Sequence, residues 1–278
     1  MMSESVVQSE SFNQLLYSVL LYFLFWGGLL VALGLFVFLF RHPANKKQLT
    51  RRIRRRAFSF QQLLFLFTVY LLVYLGAGFV RYYFWSSETS SFNLSIFLLI
   101  DLSIIFSVIG INRQNKKTWA AQFGMSWRES KVVIFSPVIY LAVIPFIMLA
   151  TFGYQYFLTF FVVKGTPPVQ QAVQEIVQTH SSLKVCYILT AIFVASIYEE
   201  VLFRGILFPT IVRYLGLWSG ITIVSGVFAL IHMHVPSLVP LFLLSIALCV
   251  AYWRTGSLWI NIGIHSIFNS VAIFNLLH

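Results

Sequence analysis

Residues 184–214 read KVCYILTAIFVASIYEEVLFRGILFPTIVRY. The run is long, apolar and free of strand-like alternation, so it forms a helix able to cross a bilayer core about 30 Å thick. Three charges, Glu199, Glu200 and Arg204, stand in its middle. Charges inside a span are costly and usually face a partner or a water-filled cavity. One segment therefore indicates both the fold class and the place to look for chemistry.

Comparable apolar runs lie at about 14–40, 61–85, 93–111, 132–163, 217–233, 238–253 and 257–277. Only helices and closed barrels satisfy their backbone in lipid, and the alternating segments of about 10 residues that mark a barrel are absent. The expectation is an all-α, polytopic transmembrane helical bundle of about eight spans, with its site buried between the C-terminal ones. Composition agrees: 59% of the 278 residues are hydrophobic and 10% charged, against roughly 25% charged in soluble domains. That excludes a soluble globular enzyme. Aromatic residues at 18% and a mean hydropathy of +0.85 exclude a disordered chain. The N-terminus is polar and acidic, unlike a secretory signal, so the first apolar run reads as a retained span. Cys186 and Cys249 lie in apolar runs without metal or disulfide spacing.

The formal net charge of +11 reads as topology, with no nucleic-acid partner. Arg41, Lys46, Lys47, Arg51, Arg52, Arg54, Arg55 and Arg56 separate the first two runs, and Arg113, Lys116, Lys117, Arg128 and Lys131 separate the third and fourth. Those loops are expected to be cytoplasmic, with both termini outside. The basic 41–60 loop also suits anionic lipid headgroups. Glu4, Glu10, Glu88 and Glu175 fall on the opposite side, and Glu129 in a basic loop. Within the spans only Asp101, Glu199 and Glu200 remain, and Asp101 has no companion motif.

Glu200 and Arg204 are i,i+4 on one helical face and can pair. Glu199 points about 100° away and lacks that partner, which makes it the candidate general base or acid. Two further C-terminal runs add His232, at the end of 217–233, and, in 257–277, His265 with Asn269, again i,i+4 on one face. Glu199 and His232 each lie about 22 Å from the turn that joins their runs, so antiparallel neighbours bring them level. The alternative for Glu199 and Glu200 is a buried ion-pair network, for His232 a bonded core histidine, and for Asn269 an amide bridge between helices.

Glu199-Glu200-x-x-x-Arg204, Phe228-x-x-x-His232 and His265-x-x-x-Asn269, in that order on successive runs, resemble the CPBP family of intramembrane proteases. That family contains the CAAX prenyl endopeptidases and the bacterial Abi proteins. The strings Phe203-Arg204-Gly205-Ile206-Leu207 and Thr255-Gly256-Ser257-Leu258-Trp259 look like its bacterial branch. The resemblance spans 184–277, dividing the chain into N-terminal spans (1–183) and a catalytic membrane core (184–278). It implies an endopeptidase of a bacterial cytoplasmic membrane that cleaves a membrane-anchored protein or peptide.

By position, Glu199 would activate water with help from His232, while His265 and Asn269 would stabilise the oxyanion. Glu200 joins the catalytic group beside its partner Arg204. A zinc held by Glu199, His232 and His265 is a second form of the same site. Two other functions stay open: a non-catalytic immunity or scaffold protein with a membrane protein partner, and a proton-coupled transporter using Glu199 and His232 as a relay.

Overall fold

The computed structural model describes residues 4–41, 45–84, 90–127, 130–161, 176–177, 179 and 182–277, and every regular element among them is helical. In order these are α1 (Glu4–Arg41), α2 (Lys46–Arg55), α3 (Phe60–Phe84), α4 (Ser90–Gln114), α5 (Trp119–Phe123), a 3-10 turn (Ser130–Phe135) and α6 (Ser136–Phe161). The chain continues with α7 (Ser182–Leu189), a π-helical stretch (Thr190–Val194), α8 (Ala195–Glu200), a second π-helical stretch (Val201–Leu207) and α9 (Phe208–Leu215). It ends with α10 (Leu217–Ile231), a 3-10 turn (Val235–Ser237), α11 (Leu238–Thr255) and α12 (Leu258–Leu277).

Among the described residues, six helical stretches are long and apolar enough to span a membrane: 18–39, 60–83, 92–114, 130–161, 183–215 and 235–255. The protein is an integral membrane protein built as an all-α bundle. The other two expected crossings are helices as well. α10 is shorter than a full crossing, and α12 carries Asn261, His265, Ser266, Asn269 and Ser270, which lower its hydropathy.

Burial separates the periphery from the centre. In the first span only 6% of the apolar window is buried, whereas in the last it is 50%. The N-terminal spans thus offer most of their side chains to lipid, and α9 to α12 supply the packed interior. The main core joins Phe203, Phe208, Val224, Phe228, Leu244, Leu248 and Ile264 to Ile53, Phe58 and Phe123 from the N-terminal part. α1 is held on α6 at Gly28, where an added Cβ would meet the Leu141 carbonyl and, at 2.7 Å, the Pro145 ring. Pro145 has no N–H for the Leu141 carbonyl four residues back, and the missing side chain of Gly28 lets α1 approach it.

The basic loops gather at one end of the bundle. Asn45 caps α2 through the Gln48 N–H at 3.1 Å. Arg52 then donates to the Trp253 and Arg254 carbonyls, both at 3.0 Å, and Arg56 to the Tyr252 hydroxyl at 2.9 Å and the Gly256 carbonyl at 2.6 Å. These bonds satisfy the carbonyls left open at the C-terminus of α11. Gly256, at φ +71°, makes the turn into α12, and Ser257 donates to the Gly124 carbonyl at 3.1 Å. Gly216, at φ +89°, turns α9 into α10. The turn presents α10 antiparallel to the helix that carries Glu199.

Candidate active site

Glu199 and Glu200 end α8, between two π-helical stretches. Such stretches widen a helix and recur at functional sites. Despite the second one, Arg204 Nη1 donates to Glu200 Oε1 at 2.8 Å, and both side chains are completely buried. Arg204 Nη2 donates to Ser245 Oγ at 2.7 Å, and the guanidinium carbon lies 4.6 Å from the centre of the Phe228 ring. Phe228 therefore serves as a cation–π platform for the buried charge.

Glu200 is fully engaged. Its Oε1 also accepts from His265 Nδ1 at 2.9 Å, and its Oε2 accepts from Asn261 Nδ2 at 3.2 Å. A carboxylate facing a guanidinium only accepts hydrogen bonds, so Nδ1 of His265 carries a proton. That bond aims the other ring nitrogen outward: His265 Nε2 lies 3.8 Å from Glu199 Oε2. Glu199 Oε2 is itself buried and has no hydrogen-bond partner among the described residues. An unpartnered buried carboxylate oxygen is costly, and such sites need a functional account.

A cavity of about 240 Å³ opens at this point, with Glu199, His232, His265 and Asn269 in its wall among apolar groups such as Pro240 and Phe268. His232 lies just past the end of α10, and its Nδ1 is 2.6 Å from the Phe228 carbonyl. Since a carbonyl only accepts, Nδ1 is again the protonated nitrogen and Nε2 has an open lone pair. Asn269 donates to the Ala191 carbonyl at 2.9 Å and, at 3.4 Å, to Ser196 Oγ, tying α12 to the first π-helical stretch. Four of the five residues singled out from the sequence thus line one cavity. Glu200 lies behind them, holding His265.

The donor types of Glu199, His232 and His265 suit zinc, and each histidine has Nδ1 tied by a hydrogen bond, which leaves Nε2 toward the cavity as in metal-binding histidines. Their spacing does not: among the described residues no group of three such side chains is close enough to hold a metal ion. Asp101 on α4 lies near enough to Glu199 and Tyr198 for its charge to act on both. It is therefore part of the electrostatic surroundings of the site.

Two supporting residues escape sequence reading. Asn261 bridges Glu200 to the Leu248 carbonyl, at 2.8 Å on that side. Its spacing was a signal, since Asn261, His265 and Asn269 form an i, i+4, i+8 stripe on one face of α12. Ser245 had no such signal, because its link to Arg204 exists only once α11 packs against the second π-helical stretch.

Comparison with curated proteins and with solved structures returns no match. Residues 181–271 match the family model described as type II CAAX prenyl endopeptidase Rce1-like, and the matched stretch contains every residue of the cavity wall discussed above apart from the flanking Ile176, Ala272 and Ile273. The match supports a protease of the CAAX-type intramembrane class. The segment from Ser181 to Val271 is thus similar to the type II CAAX prenyl endopeptidases of the Rce1-like family.

Proposed function

We propose that the protein hydrolyses a peptide bond of a membrane-anchored protein or peptide, with Glu199 as the base that activates water. The observation that carries this reading is the buried, unbonded Glu199 Oε2 facing His265 Nε2 across 3.8 Å on a cavity wall. Glu199 takes a proton from water as the hydroxide adds to the scissile carbonyl carbon. The carbonyl becomes an oxyanion, the C–N bond then breaks, and the proton on Glu199 passes to the leaving amine.

His232 assists through its open Nε2, which accepts a hydrogen bond from the same water. His265 faces the developing oxyanion with Nε2, and it serves there as a donor whenever that nitrogen, like Nδ1, carries a proton. Asn269 has one N–H committed to Ala191, and its longer contact to Ser196 supplies the second donor. Glu200, Arg204 and Asn261 are positioning residues that fix the His265 ring.

In this reading the basic end of the bundle faces the cytoplasm, as the clustering of cations favours. The substrate is a membrane-associated chain, of which a prenylated C-terminal CAAX peptide is the first to try. Comparing membrane-associated peptides from cells carrying wild type or Glu199→Ala tests the proposal. A precursor that accumulates only with the variant supports it, and identical peptide profiles contradict it.

A further inference from the structure

A second cavity, of about 970 Å³, lies at the basic end of the bundle and shares no lining residue with the first. Lys47, Arg51, Arg52, Arg55, Arg56 and Lys117 line it, and no carboxylate among the described residues does. Six cations around one space repel one another unless an anion enters. Burial, and then the charge of Arg213, hold the Lys117 ammonium below the ordinary lysine range.

The cavity is also built. Arg52 and Arg56 are fixed by their bonds to the turn between α11 and α12, which gives the wall guanidinium groups of set orientation, suited to phosphate. Gln122, only 1% exposed, lines the same space and donates to the Arg56 carbonyl. Its Oε1 is buried with no hydrogen-bond partner among the described residues, so it can accept from a hydroxyl on a ligand. In sequence the lining adjoins the start of α3 at Phe60 and the end of α4 at Gln114, the ends of two apolar spans.

We infer that this cavity binds a phosphate-bearing anion with a hydroxyl, the chemistry of an anionic glycerophospholipid headgroup. The inference does not depend on the protease reading, and its test reads binding alone. Lys47, Arg51 and Arg55 are exposed and stand clear of the α11–α12 turn, so they can be changed without loosening it.

Full-length protein, stripped of lipid in neutral detergent, is titrated with phosphatidylglycerol or phosphatidylcholine and read by native mass spectrometry and thermal unfolding. Phosphatidylglycerol is expected to bind at least about tenfold more tightly and to raise the unfolding temperature, because each headgroup-level cation favours an anionic lipid. The triple variant Lys47→Gln/Arg51→Gln/Arg55→Gln is expected to lose roughly 100-fold in that affinity and to unfold as wild type does in phosphatidylcholine. Competition by millimolar inorganic phosphate would assign the site to phosphate groups in general, and failure to compete would assign it to the lipid. Equal binding of both lipids without a response to phosphate, or wild-type affinity in the triple variant, would overturn the inference.

Discussion

His265 donates to Glu200 at 2.9 Å from one ring nitrogen and turns the other toward Glu199. The adjacent glutamates therefore differ in kind. Glu200 has Arg204, His265 and Asn261 around it, while Glu199 Oε2 has no hydrogen bond among the described residues.

The first consequence concerns stability. Arg204→Ala would leave the wholly buried Glu200 without its counter-charge, and breaking such a pair costs about 3–5 kcal/mol. Glu199→Gln removes no hydrogen bond from Oε2 and should shift stability by less than about 1 kcal/mol. Thermal unfolding of the two purified variants in the same detergent separates these outcomes. A similar loss in both would mean that Glu199 belongs to the structural network.

His232 gives the second. Its single described bond is local, to Phe228 in the preceding turn, so His232→Ala should unfold close to wild type. If its Nε2 assists water, cleavage should fall by about 100-fold or more. An active His232→Ala protein would confine this residue to packing.

Asn261 provides a test of positioning. Asn261→Leu removes the bond to the buried Glu200 Oε2 and the side-chain bond to the Leu248 carbonyl, which costs about 1–3 kcal/mol. Glu200 then holds the His265 ring less firmly, and kcat should fall with KM little changed. A rise in KM at constant kcat would instead place Asn261 in substrate binding.

Packing around the site supplies a fourth expectation. A Cβ on Gly205 would lie 2.7 Å from the Phe123 ring, in the second π-helical stretch. Gly205→Val should destabilise by about 1–3 kcal/mol through overpacking. Pairing it with Phe123→Leu should recover part of that loss, as a double-mutant cycle can measure.

Much of this arrangement is legible in the chain. Apolar length identifies the helices, and the Glu200–Arg204 spacing identifies the buried pair before any packing is known. Equal distances from the turn at Gly216 put Glu199 and His232 at one depth. What spacing does not give is which nitrogen of each histidine is free, because that depends on Phe228 and Glu200 as partners. The π-helical stretches escape too, since they arise where α12 packs against the fifth long span. The division of labour between the two glutamates follows from spacing alone, whereas Asn261 and Ser245 acquire their roles only through contacts far apart in sequence.

The central claim is that Glu199 is the base, and single-turnover cleavage by purified Glu199→Gln measures it most directly. With a prenylated CAAX peptide, or with the precursor found in cells, the account predicts a loss of about 100-fold or more at an unchanged unfolding temperature. Cleavage by the folded variant at the wild-type rate would contradict it.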